Sequence, residues 1–76
     1  MRNKILNVLA IVRPEFDFNE SENFIEDGLL DSFDIVTLVY SLDEEFKISI
    51  QGEEIIHENF VNLSSIEDLL NKYLNG

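Results

Sequence analysis

The sequence predicts a small all-α domain. It would be a four-helix bundle of three main helices plus a short third one, with a long loop between helices one and two. Three observations carry this reading. Apolar residues recur at helical spacing in three separate stretches. Three glycines and one proline in 76 residues supply little of the turn chemistry that a β fold needs. With no cysteine, nothing staples the chain, and a single domain over residues 1–76 has to be held by its amphipathic faces.

In the first helix, Ile5, Val8, Leu9 and Val12 share one face, and Leu6 and Ile11 widen the stripe. Arg13 suits the negative C-terminal end, and Pro14 marks the stop. Arg2 and Lys4 ahead of Ile5 to Val12 give a superficial likeness to a secretion signal. Asn7 interrupts that run, Arg13-Pro14 ends it without a small-residue cleavage site, and it is too short to cross a bilayer. It reads as a helix of a soluble cytoplasmic protein. From Pro14 to Asp31 no period holds, and acids alternate with Phe16, Phe18, Phe24 and Ile25, rings and chains able to pin a loop to a core.

The second helix is expected from about Ser32 to Phe46, with Ile35, Leu38, Val39, Leu42 and Phe46 as its core stripe. Lys47 to Ile50 reads as extended and Gln51-Gly52 as a turn. Glu53 to Glu58 is expected to form the short third helix, burying Ile55 or Ile56. The fourth, Ser64 to Leu74, has a capping-box pattern in Ser64 and Glu67 and an apolar face of Ile66, Leu69, Leu70 and Tyr73.

Sixteen acids against five bases give a net charge of −11. The imbalance is uneven: Pro14 to Glu58 hold fourteen acids and one base, Lys47, a local net of −13. Such a surface repels nucleic acid and anionic membrane, since binding either requires Lys or Arg to neutralise phosphates. It attracts basic protein surfaces.

Gly28-Leu29-Leu30-Asp31-Ser32-Phe33 ends the acidic stretch and enters the second helix. A serine at that point stands beside unpaired amides and the positive end of the helix dipole, where a phosphate ester on its oxygen would be stabilised. The residues alone leave two readings of Ser32 open, a modification site or a helix cap. Half a turn from the core stripe lie Phe33, Thr37, Tyr40 and Glu44, flanked by Asp34, Asp43 and Glu45. Rings rimmed with acids read as a docking face for a partner with apolar pockets and basic neighbours.

Catalysis finds little support. A nucleophilic serine needs a base and an oxyanion hole, yet the sole histidine is His57, no Gly-x-Ser-x-Gly elbow is present, and His57 reads as a surface or loop-packing residue. No metal site is expected either. Asp17, Asn19 and Ser21 fit the start of a calcium loop, but Glu22 and Gly28 stand where glycine and glutamate are needed. Only diffuse cation binding by Glu26, Asp27, Asp31 and Asp34 is left.

Phe24-Ile25-Glu26-Asp27, Leu30-Asp31-Ser32-Phe33-Asp34 and Leu42-Asp43-Glu44-Glu45-Phe46, followed by Ile48-x-Ile50, closely resemble acyl carrier proteins over nearly the whole chain. The resemblance implies a carrier and not an enzyme. It implies a 4′-phosphopantetheine arm on Ser32, attached by a phosphopantetheinyl transferase that uses coenzyme A and magnesium, with acyl or aminoacyl groups riding on the arm as thioesters. It further implies that Asp31, Asp34 and the acids of the second helix meet basic patches on acyl- or amino-acid-activating ligases and acyltransferases; the oligomeric state is left open by the sequence, with a monomer the default. Phe33, Thr37, Tyr40 and Gly28-Leu29-Leu30 depart from the fatty-acid carrier pattern. They point to a dedicated carrier of the D-alanyl, polyketide or peptide type. The alternative is an acidic interaction adaptor without a prosthetic group.

Overall fold

Three α-helices, α1 (Arg2–Val12), α2 (Ser32–Phe46) and α3 (Leu63–Leu74), make up the described part of the chain together with 3-10 turns at Phe18–Glu20, Gly52–Glu54 and His57–Phe60. The structure is a computed structural model describing residues 1–74; residues 75 and 76 of the expected domain lie outside it. α1 lies mainly against α2, and α3 against α1 and the His57–Phe60 turn. Ile5, Val8 and Leu9 of α1, Ile35, Leu38, Val39 and Leu42 of α2, and Ile66, Leu69 and Leu70 of α3 form one core with Phe18, Phe24, Leu30, Ile50 and Phe60. The apolar stripes read from the sequence are these faces. Ile11 is the exception: it is 76% exposed and does not widen the stripe of α1.

Between α1 and α2 the chain is wound in turns around Phe24 instead of running as an irregular loop. Asn23 Oδ1 accepts from the amides of Ile25 and Glu26, and the Phe24 carbonyl accepts from Leu29 and Leu30. The Phe24 amide donates to the Val61 carbonyl at 2.6 Å, which ties these turns to the segment before α3. Phe24 meets Phe18 edge to face at 5.0 Å, so two rings that break the periodicity supply the packing. Gly28 has φ +76°, a left-handed conformation that glycine adopts without a Cβ penalty.

Two 3-10 turns replace the short third helix expected over Glu53 to Glu58. The first closes when the Ile55 amide donates to the Gly52 carbonyl, and Ile56 is then extended. Adjacent β-branched residues favour that break, and Phe60, fully buried, fixes the second turn. Asn59 bridges the break by donating to the Glu54 carbonyl at 2.7 Å. Ile55 is the partly buried member of the isoleucine pair, and Ile56 is exposed.

α3 begins one residue earlier than expected, and its cap is not Ser64. Asn62 Oδ1 accepts from the Ser65 amide at 2.8 Å, and Glu67 turns instead to Arg2 at 2.6 Å. That ion pair closes α1 onto α3, and its hydrogen bond holds the Glu67 carboxyl below the usual range.

Candidate functional site: the start of the second helix

Asp31, and not Ser32, takes the cap of the second helix. Asp31 is the N-cap of α2, its carboxylate accepting from the Asp34 amide at 2.9 Å, while Asp34 Oδ2 accepts from the Asp31 amide at 3.1 Å. This reciprocal box satisfies orphan donors of the first turn. Ser32 is therefore the first residue inside the helix, exposed, with a hydroxyl that the cap does not use.

A third group braces the box. Arg13, just past the end of α1, donates from Nε to Asp34 Oδ2 at 2.9 Å and lies 3.8 Å from Asp31 Oδ2. It also pairs with Glu15 at 2.9 Å. The Asp34 amide, first, and then the Arg13 charge hold the Asp31 carboxyl below the ordinary range. Arg13, read from the sequence only as a helix-end cation, thus fixes where α2 starts.

His57 is the other residue that sequence reasoning set aside. Its Nε2 lies 3.5 Å from Ser32 Oγ across a gap of 25 positions in the chain. The two residues line a shallow hollow of about 160 Å³ with Ile35, Val36 and Ile55. No spacing signal links Ser32 to His57, because the contact depends on the break at Ile56 that reorients the second 3-10 turn. Among the described residues no carboxylate hydrogen-bonds the His57 ring, so a serine hydrolase arrangement is incomplete here.

The expected docking residues divide into two groups. Phe33 is 86% exposed and Tyr40 64%, and Thr37, Glu44 and Glu45 are exposed on the same helix. Thr37 Oγ1 donates to the Phe33 carbonyl, and the Glu44 carboxylate beside Tyr40 raises the phenol above its usual range. Asp34 and Asp43, by contrast, hold the ends of α2. The Asp34 side chain is only 14% exposed, inside the box with Arg13, and Asp43 Oδ1 accepts from the Ile50 amide at 3.0 Å. Their charges contribute to the field of the face more than to direct contact. The calcium-loop carboxylate Asp17 caps the Phe18–Glu20 turn, accepting from the Asn19 amide.

These features define a class: a small acidic helical domain with an exposed serine at a braced helix start and exposed rings beside it. Comparison with known proteins names the class. The chain is 41% identical over 71 residues to an acyl carrier protein of Buchnera aphidicola subsp. Acyrthosiphon pisum (strain 5A), covering 93% of this chain and 86% of that protein. It is 44% identical over 50 residues to an acyl carrier protein of Buchnera aphidicola subsp. Baizongia pistaciae (strain Bp), covering 66% of this chain and 62% of that protein, under two thirds of its length. No family model and no solved structure matches the chain. The chain belongs to the acyl carrier protein family.

Proposed function

We propose that this chain carries acyl or aminoacyl groups as thioesters on a 4′-phosphopantetheine arm attached to Ser32, and presents them to partner enzymes. The observation that carries this reading is the exposed Ser32, its hydroxyl unused by the helix cap that Asp31 already provides. The site residues fit the group. Ser32 is exposed, and an open hollow adjoins it. When bound, the arm supplies a terminal thiol, which a chain without cysteine does not itself possess.

The protein's own residues position and present. Arg13, Asp31 and Asp34 fix the helix start, so that Ser32 is offered in one geometry to a transferase. Phe33 and Tyr40 give partners apolar anchors, and Glu44 and Glu45 supply charge for basic patches on activating ligases and acyltransferases. A tethered cargo then meets a docked enzyme at an effective concentration of the order of millimolar. Phe33, Thr37 and Tyr40 distinguish this face from that of fatty-acid carriers and favour a dedicated aminoacyl, D-alanyl or polyketide-type carrier. Among the described residues no helix is long and apolar enough to cross a membrane.

The test is mass spectrometry after incubation with coenzyme A, magnesium and a broad-specificity phosphopantetheinyl transferase. One phosphopantetheine increment, lost in Ser32→Ala, supports the carrier. A folded protein that takes no increment from several transferases would instead be an acidic adaptor that binds basic proteins through charge alone.

A further inference from the structure

We propose that His57 is a positioning residue for the prosthetic group, its Nε2–H donating to the phosphodiester formed at Ser32. The inference rests on the carrier reading above and assigns one residue of this chain to the base of the arm.

The helix start offers that phosphate less than its position suggests. The first-turn amide of Asp34 is turned to the Asp31 carboxylate, and Asp34 Oδ2 already takes the Asp31 amide and Arg13 Nε. A diester on Ser32 thus adds an anion next to two carboxylates, with the Asp34 amide already taken, and a donor outside the capping box would offset their repulsion. His57 Nε2, 3.5 Å from Ser32 Oγ, stands on the side of the hollow.

Distance and chemistry agree. At 3.5 Å the bare serine contact is longer than a good hydrogen bond. A phosphate extends beyond Oγ, and its free oxygens reach toward the ring, where a bond of ~2.8 Å becomes attainable. The roles also change on modification. A serine hydroxyl can donate to an unprotonated Nε2, but an ester oxygen has no hydrogen, so Nε2 must become the donor. Val36 and Ile55 line the same hollow, so an arm anchored at His57 would have apolar neighbours there.

The experiment uses protein converted by a transferase, with the increment on Ser32 verified by mass, in wild type, His57→Phe and His57→Gln. The readouts are the 31P resonance of the diester and nuclear Overhauser contacts between the residue-57 side chain and the methylene beside the phosphate. Wild type and His57→Gln, which both keep an N–H donor, should share a 31P shift and show the contacts. His57→Phe should move the resonance and lose them. A 31P resonance in His57→Phe that superimposes on wild type, with no contact from His57 in the wild-type protein, overturns the assignment while leaving the modification intact. Failure of the mass increment itself would overturn the carrier reading and this inference with it.

Discussion

Arg13 Nε donates a 2.9 Å hydrogen bond to Asp34 Oδ2, joining the end of α1 to the first turn of α2. The bond matters because the same carboxylate oxygen closes the capping box on the Asp31 amide. One guanidinium therefore stabilises a helix terminus, an interhelix contact and the placement of Ser32 together. Asp34→Ala removes the Arg13 bond and the Asp34 half of the capping box while leaving the Asp34 amide bonded to Asp31, and a loss of about 1–2 kcal/mol is expected from the half-buried hydrogen bonds. For a domain of this size that corresponds to a melting temperature lower by roughly 4–8 °C per kcal/mol. Arg13→Lys keeps the charge but not the fork, and should fall between wild type and Asp34→Ala. A thermal melt of Asp34→Ala that overlays wild type would contradict the brace.

Asp31 predicts an acid limb of stability. Its carboxyl is held below the ordinary range, first by the Asp34 amide and further by Arg13. A depressed folded-state pKa adds stability that is complete above the unfolded value of about 3.9 and is lost as pH falls through the folded value. Asp31→Asn keeps an oxygen to accept from the Asp34 amide, since asparagine is also a good cap, but has no proton to gain. Its melting temperature should therefore fall less than that of wild type between about pH 5 and pH 2. Parallel curves for the two proteins would remove Asp31 from the acid transition.

Lys47 is the C-cap of α2, with φ 56° and ψ 51°, and is the only non-glycine residue at positive φ among those described. The left-handed conformation is costly for a residue with a Cβ and free for glycine, although glycine gains entropy when unfolded. Lys47→Gly should stabilise by about 0.5–1 kcal/mol, seen as a higher urea midpoint at unchanged slope. A lower midpoint would show that the lysine side chain contributes more than its backbone costs.

How far the sequence reveals this structure depends on the range of the interactions. The faces of α1, α2 and α3 were legible because they are local and periodic, and Asp-Ser at a helix start with acids and rings beyond it marked the candidate site. Phe60, Leu30 and Ile50 belong to the core yet sit in no periodic stretch, so they were not anticipated there. The Ile55-Ile56 break looked like one short helix because acids and isoleucines fit either form. Asn62 took the cap expected of Ser64, a one-residue shift among small polar side chains. The pairings of Ser32 with His57 and of Arg13 with Asp34 arise only when distant segments meet, and no spacing rule contains them.

The exposed rings predict a separation of stability from recognition. Tyr40, 64% exposed, contributes little to the core. Tyr40→Ala should keep the melting temperature and the transferase-dependent mass increment. It should slow loading by the activating ligase by roughly 5- to 30-fold, the effect of losing one interface anchor of about 1–2 kcal/mol. Equal loading rates for the variant and wild type would take Tyr40 out of the docking face.

Ionic strength probes the whole charge distribution at once. Fourteen acids and one base lie between Pro14 and Glu58, and the molecule is only 31 Å along its longest axis. At 10 mM salt the screening length is about 30 Å, so nearly every acid feels every other; at 0.1 M it falls to about 10 Å. Salt also weakens the pairs Arg2–Glu67, Arg13–Asp34 and Lys72–Glu54, but these involve three of five bases against sixteen acids, and repulsion dominates the balance. The melting temperature should therefore rise between 10 and 100 mM sodium chloride. Among the described residues no group of three or more His, Asp or Glu is arranged to hold a metal ion. Magnesium at matched ionic strength should then stabilise no more than sodium does. A melting temperature that falls with salt would mean that the three ion pairs outweigh the repulsion; a selective gain with magnesium would reveal a cation site that the apo arrangement of carboxylates does not contain.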